Sequence, residues 1–214
     1  MKKIIFAIAA LSSAVTHAET SVQNDLMFMA SVTSDYRFRG ISQSRLKPAI
    51  QAGVDYVNNP SGFYVGAWAS TIKWIDDAGG DSEIELDIYG GKRGEITENI
   101  TYDVGVLAYV YPSNTLGDVE GYESANTTEV YAQIGYGPGF IKYSNSVTNL
   151  FGFVDSKNSG YIDATVNIPV GSFTVNLHAG HQTVENNSMA DYDDWKVGAT
   201  PPKKRCRFIL RTQV

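Results

Sequence analysis

Cysteine is nearly missing from this chain. The single Cys206 can close no internal disulfide and supplies no cysteine metal cluster. Basic residues are in deficit: 17 Lys and Arg stand against 23 Asp and Glu, for a net charge of -6. That balance argues against nucleic acid as a partner, because phosphate contacts need cations. Long apolar runs are missing after residue 18, so no transmembrane helix, which takes about 20 apolar residues, is expected. Strongly helical periods are missing as well. Histidine is scarce. His178 and His181 lie on one expected strand at a spacing that points them to opposite faces, so they cannot share a metal. No Ser/His/Asp arrangement stands out. The chain is read as a non-enzyme, with no metal and no cofactor.

What is present favours β structure. Glycine (20) and tyrosine (13) are both frequent. The N-terminus carries Lys2 and Lys3, an apolar stretch over 4–11, and small residues up to Ala18. This is the pattern of a cleaved bacterial export signal over 1–18. Losing the two lysines makes the exported chain more acidic still.

Residues 82–111 show the repeating unit most clearly. Ile84, Leu86 and Ile88 alternate with Glu83, Glu85 and Asp87. After a polar break at 92–98, Ile100, Tyr102, Val104, Val106, Ala108 and Val110 alternate with Thr101, Asp103 and Gly105. This is a hairpin of two long strands, each with one apolar and one polar face. The same period marks strands over 26–36, 49–58, 63–74, 127–136, 140–147, 160–168, 173–182 and from 192. Short turns at 58–62, 92–98, 135–139 and 169–171 alternate with long polar loops at 37–47, 76–81, 113–125, 149–158 and 185–191. Short turns on one side and long loops on the other predict an all-β, antiparallel up-and-down transmembrane β-barrel over 19–200, the long loops facing outside the cell. Roughly ten strands are legible, and closure predicts about twelve. From Pro201 the alternation stops. Residues 201–214 form a basic tail with the only cysteine, the composition a frameshift or truncation would leave.

In such a barrel the polar face turns inward. The expected lumen-lining residues are Asp55, Glu83, Glu85, Asp87, Asp103, Glu129, Gln133, Asp163, Asn167 and Asn176, joined by Gln51 and His178 and balanced by Lys142 or Arg37. Carboxylates dominate that set, and acidic rings attract cations. Trp68, Trp74, Tyr89, Tyr102, Tyr111, Tyr136, Tyr143 and Trp195 lie near strand ends, where aromatic girdles meet the bilayer interfaces.

Five stretches, 30–44 (ASVTSDYRFRGISQS), 51–56 (QAGVDY), 62–70 (GFYVGAWAS), 83–91 (EIELDIYGG) and 191–198 (DYDDWKVG), together resemble the TorF-type porin family of Gram-negative outer membranes. The resemblance covers about Met29 to Gly198. Similar proteins run on through a barrel-closing strand with a terminal aromatic; this chain ends Thr212-Gln213-Val214. The resemblance implies an outer-membrane barrel of uncertain substrate. The partners expected are outer-membrane lipid, the barrel-assembly machinery and small polar solutes. The expected function is passive diffusion through an acidic, weakly cation-preferring lumen. Two alternatives stand: a non-conducting structural or adhesion barrel, and a secreted soluble β-sandwich that acts as a binding module.

Overall fold

The period-two stretches become ladders almost residue for residue. The computed structural model describes residues 24–201; the expected signal segment and nearly all of the expected tail lie outside the described residues. The strands are β1 (Asn24–Thr33), β2 (Arg37–Phe38), β3 (Ile41–Ser42), β4 (Ala49–Asn58), β5 (Phe63–Thr71), β6 (Ile84–Thr97), β7 (Ile100–Val110), β8 (Thr127–Tyr136), β9 (Gly139–Ser146), β10 (Gly160–Val170), β11 (Phe173–Thr183) and β12 (Tyr192–Thr200). Ten of them form one antiparallel sheet in the order β1-β4-β5-β6-β7-β8-β9-β10-β11-β12; β2 and β3 form a separate hairpin. Apart from that hairpin, every sheet neighbour is also the next strand in sequence, so the topology is up-and-down. The protein is all-β. Among the described residues no ladder joins β12 back to β1, and no helix is long and apolar enough to cross a membrane.

Local expectations change in three respects. The strands expected over 26–36 and 63–74 stop at Thr33 and Thr71, and Trp74 opens a short helix instead. The polar stretch at 92–98 is not a break: β6 continues through it to Thr97, paired with Ile100–Val104, with a register irregularity between Glu95 and Thr97. Alternation persists there, with Arg93 facing inward beside Asp103, so the ladder has no reason to stop. The segment 37–47, expected as an outer loop, folds inward. Its β2–β3 hairpin lies on the concave face of the sheet.

The contacts of that hairpin reveal the curvature. Tyr36 stacks edge-on against Trp68 of β5, with centroids 5.3 Å apart. Arg39 donates to Gln182 of β11 at 2.9 Å. In a flat sheet the six spacings from β5 to β11 would separate those strands by roughly 29 Å, at about 4.8 Å each. The chain from Tyr36 to Arg39 spans at most about 10 Å. Side chains extend that reach, but the inner-face residues Gln51, Ser70, Glu129 and Gln182 are buried as well, so the sheet rolls around the hairpin.

Polarity is inverted across the sheet. Ile84 and Ile88 are 48 % and 49 % exposed, whereas Glu85 between them is 2 % exposed. Phe28, Val65, Val106, Ile134, Ile162 and Val197 share the outer face with the isoleucines, all of them exposed. Gln51, Ser70, Glu129, Ser144 and Gln182 are buried on the inner one. The conventional apolar core is confined to the long-loop end. There Tyr36, Ile72, Ile75, Tyr109, Tyr111 and Leu116 pack together with Phe38, Trp68, Trp74 and Phe151. Ile75 comes from the short helix α1 (Trp74–Asp77).

Candidate functional site

The concave interior is the site, and strand parity builds it. On β6 the inward positions are Glu85, Asp87, Tyr89, Gly91 and Arg93. Their register partners carry the same parity around the wall: Ser70 opposite Glu85, Tyr109 opposite Asp87, Asp103 opposite Arg93. Nine of the ten expected lumen residues sit on this face, namely Asp55, Glu85, Asp87, Asp103, Glu129, Gln133, Asp163, Asn167 and Asn176. Glu83 does not. It precedes β6, its side chain is 68 % exposed, and it pairs with Lys73 in the loop. A residue before the first ladder pair has no strand parity to turn it inward.

Near the long loops the wall carries Glu85, Asp87 and Glu129. Tyr36 gives its hydroxyl proton to Glu85 at 2.8 Å, and Tyr109 gives its own to Glu129 at 3.2 Å. Arg39 donates to Glu129 at 2.7 Å; the two side chains are 7 % and 3 % exposed. Asp87 Oδ1 is buried with no hydrogen-bond partner among the described residues. Burial works most strongly against the Arg39 charge, but Glu129, Tyr109 and Tyr192 together outweigh it and hold the guanidinium above its usual range. Burial, then Glu85, raises the Tyr36 hydroxyl well above the ordinary tyrosine value, so it remains a donor.

Nearer the short turns, carboxylates and tyrosines pair off. Tyr89 donates to Asp55 and Tyr64 to Asp103, both at 2.6 Å, and Tyr64 also meets the Tyr131 hydroxyl. The Lys142 ammonium lies 3.9 Å from the Tyr131 ring centroid and the Arg93 guanidinium 5.2 Å from that of Tyr64. Along the wall His178 contacts Asp163 at 3.0 Å through Nδ1 and Asp194 at 2.9 Å through Nε2. Asn176 donates to Asn167 at 2.6 Å. His181 faces outward to Asp193, on the opposite face from His178. The interior is thus a web of charge-assisted hydrogen bonds with more acid than base.

The aromatic assignments divide. Tyr136, Tyr143 and Trp195 stand exposed on the outer face, and Tyr102 shares that face opposite Gly94. Trp68, Tyr89, Trp74 and Tyr111 do not form a girdle. Trp68 packs under Tyr36, Tyr89 serves Asp55, and Trp74 and Tyr111 meet edge to face at 5.4 Å beneath the loops. Trp68 and Tyr89 have the parity of Ser70 and Asp87, so proximity to a strand end was the wrong criterion for them. Tyr56, Phe63 and Phe173 occupy outer positions instead, all exposed near the short turns.

Among the described residues Arg37 pairs with no wall carboxylate; it pairs with Asp35 beside the hairpin at 2.7 Å. Among the described residues the inward-facing cations of the wall are Arg93, Lys142 and Lys196; Arg39 joins them from the hairpin and is the cation that strand parity does not predict. The local signal was Phe38-Arg39-Gly40: an aromatic, a cation and a glycine at φ 79° making a tight turn.

An all-β up-and-down sheet rolled around its own hairpin, polar within and apolar without, defines the class of this protein. The chain belongs to a family of bacterial proteins of unknown function, Gcw_chp, whose model matches residues 17–208. No curated protein and no solved structure matches it.

Proposed function

We propose that this chain is an outer-membrane β-barrel protein that lets small polar solutes, cations ahead of anions, diffuse through a narrow interior constricted by the β2–β3 hairpin. The observation that carries this reading is the inverted polarity of the sheet. In water an exposed wall of Ile, Val and Phe costs free energy; against lipid the same wall is favoured, and the buried Glu, Gln and Ser then belong to an aqueous or hydrogen-bonded interior. Strand length agrees, because β1, β4, β7, β8, β10 and β11 each have 10 or 11 residues, close to the roughly 9–11 that a tilted strand needs to cross. A shallow groove of about 700 Å³ past Ile141, Ala164, Leu177 and Trp195 offers acyl chains a seat on the outer wall. The resemblance to TorF-type porins points the same way.

A second reading, a filled barrel without conductance, draws on one observation: the apolar cluster beneath the loops and the hairpin together occupy one end of the interior. Planar-bilayer recording on the full chain refolded in detergent separates the two. Small discrete steps with a cation-biased reversal potential are expected. Asp87→Lys should move that potential toward anions, because Asp87 faces inward and its Oδ1 is buried with no hydrogen-bond partner among the described residues. Inserted but silent protein would sink the passage reading, and an unmoved potential would remove Asp87 from the path.

A further inference from the structure

The geometry points to Arg39 as the latch that holds the β2–β3 hairpin inside the rolled sheet and so decides how wide the interior is and which ions it favours. The ion preference rests on the passage reading above; the latch itself does not. The hairpin leaves the wall after β1 and must cross the interior to the far strands. Its base is secured locally. The Tyr36 amide donates to Ser44 Oγ at 3.0 Å and the Ser44 hydroxyl to the Lys47 carbonyl at 2.7 Å. Its tip is secured by Arg39.

Three features make Arg39 a built anchor. Its two terminal nitrogens are both committed, Nη2 to Glu129 on β8 at 2.7 Å and Nη1 to Gln182 on β11 at 2.9 Å. Its guanidinium lies between two rings, 4.7 Å from the centroid of Phe38 and 4.2 Å from that of Tyr161 on β10. Gln182 is itself fixed, donating to the Gly160 carbonyl at 3.0 Å. The turn that delivers Arg39 is close-fitting: a β-carbon on Gly40 would stand 2.7 Å from Cβ of Asp194 on β12. One charged side chain thus ties the tip to β8, β10 and β11, and the turn glycine beside it abuts β12.

The same residue sets the charge balance. Glu85, Asp87 and Glu129 share the loop-side wall, and Arg39 forms the ion pair with Glu129 there. Without it, Glu129 is an uncompensated buried carboxylate that recruits a cation from solution, and the hairpin has no hold on the far wall. Replacing Arg39 should therefore widen the interior and strengthen cation preference. Replacing Arg39 and Glu129 together should widen it while leaving the net charge of the wall unchanged.

Ser70 provides a reporter that needs no conductance. It is 2 % exposed, faces inward and is the register partner of the Glu85 that Tyr36 covers. In full-length Cys206→Ser protein carrying Ser70→Cys, refolded in detergent, a charged water-soluble maleimide should label residue 70 slowly. Arg39→Ala should speed labelling by about tenfold or more, as opening of a covered segment does. Arg39→Met with Glu129→Gln should do the same, and this charge-neutral pair guards against a folding defect from the lone carboxylate. Bilayer recordings on the same proteins should give larger steps for both variants and a more cation-biased reversal potential for Arg39→Ala alone. Equal labelling of parent and both folded variants overturns the latch, whatever the conductance. Faster labelling in proteins that all stay silent supports the latch and brings down the passage reading alone. Faster labelling and larger steps without a shift in reversal potential remove the selectivity role.

Discussion

Val106→Arg is expected to destabilise the protein refolded in lipid vesicles by about 2–4 kcal/mol, the cost of a cation on the lipid face of a transmembrane strand near mid-depth. Val106 is the middle outward residue of β7, between Val104 and Ala108, and its register neighbours are Gly90 and Val130. It is 47 % exposed. In a soluble sandwich such a position tolerates arginine within about 0.5 kcal/mol, because the side chain simply enters water. Thr128, outward on β8 at the long-loop end of the same wall, supplies the internal comparison. Thr128→Arg should cost only about 0–1 kcal/mol, as near an interface. Urea titration of vesicle-refolded protein, followed by tryptophan emission, measures both. A depth-dependent penalty places the apolar face in a bilayer. Equal and negligible effects would remove the membrane from the reading and leave the secreted binding module.

The strands and their two faces were legible because a ladder imposes period two, and the inward turn of Glu85, Asp87 and Glu129 follows from that parity alone. The position of residues 37–47 was not legible, and the reason is physical. In a conventional protein a hydrophilic segment is read as exposed because the interior is apolar. Here the interior is polar, so Arg39, Ser42, Gln43 and Ser44 are as suited to being buried as to being solvated. Hydrophilicity loses its power to distinguish an inner plug from an outer loop. What remains is the pair Tyr36 and Phe38, whose rings seek Trp68 and Tyr109, and the turn glycine that follows Arg39. Tyrosine is ambiguous for the same reason. Its ring suits a membrane interface and its hydroxyl suits a buried carboxylate, and only parity separates Tyr143 outside from Tyr89 inside.

The inward tyrosines also set a steric rule with a large expected effect. Tyr64 lies over Gly91, its register partner across β5 and β6, as Tyr131 lies over Gly105 across β7 and β8. A ring laid over a glycine shields the neighbouring backbone and fixes the pairing. A β-carbon on Gly91 would stand 2.4 Å from the Val104 carbonyl oxygen and 2.6 Å from the Tyr64 hydroxyl. One of those is backbone and cannot rotate away. Gly91→Ala should cost about 1–3 kcal/mol of overpacking, and the displaced Tyr64 should surrender its bond to Asp103. Gly198 on β12 has open space, its nearest atoms being 3.9 and 4.0 Å away on Asn176. Neither glycine has a positive φ, so backbone strain does not enter. Gly198→Ala should therefore stabilise by up to about 1 kcal/mol, through the lost freedom of the unfolded chain. One methyl group, added twice to the same inner wall, should change stability with opposite signs. Matching signs in urea titration would mean that the tyrosine does not lie over Gly91, and the packing of the inner wall near the short turns would have to be redrawn.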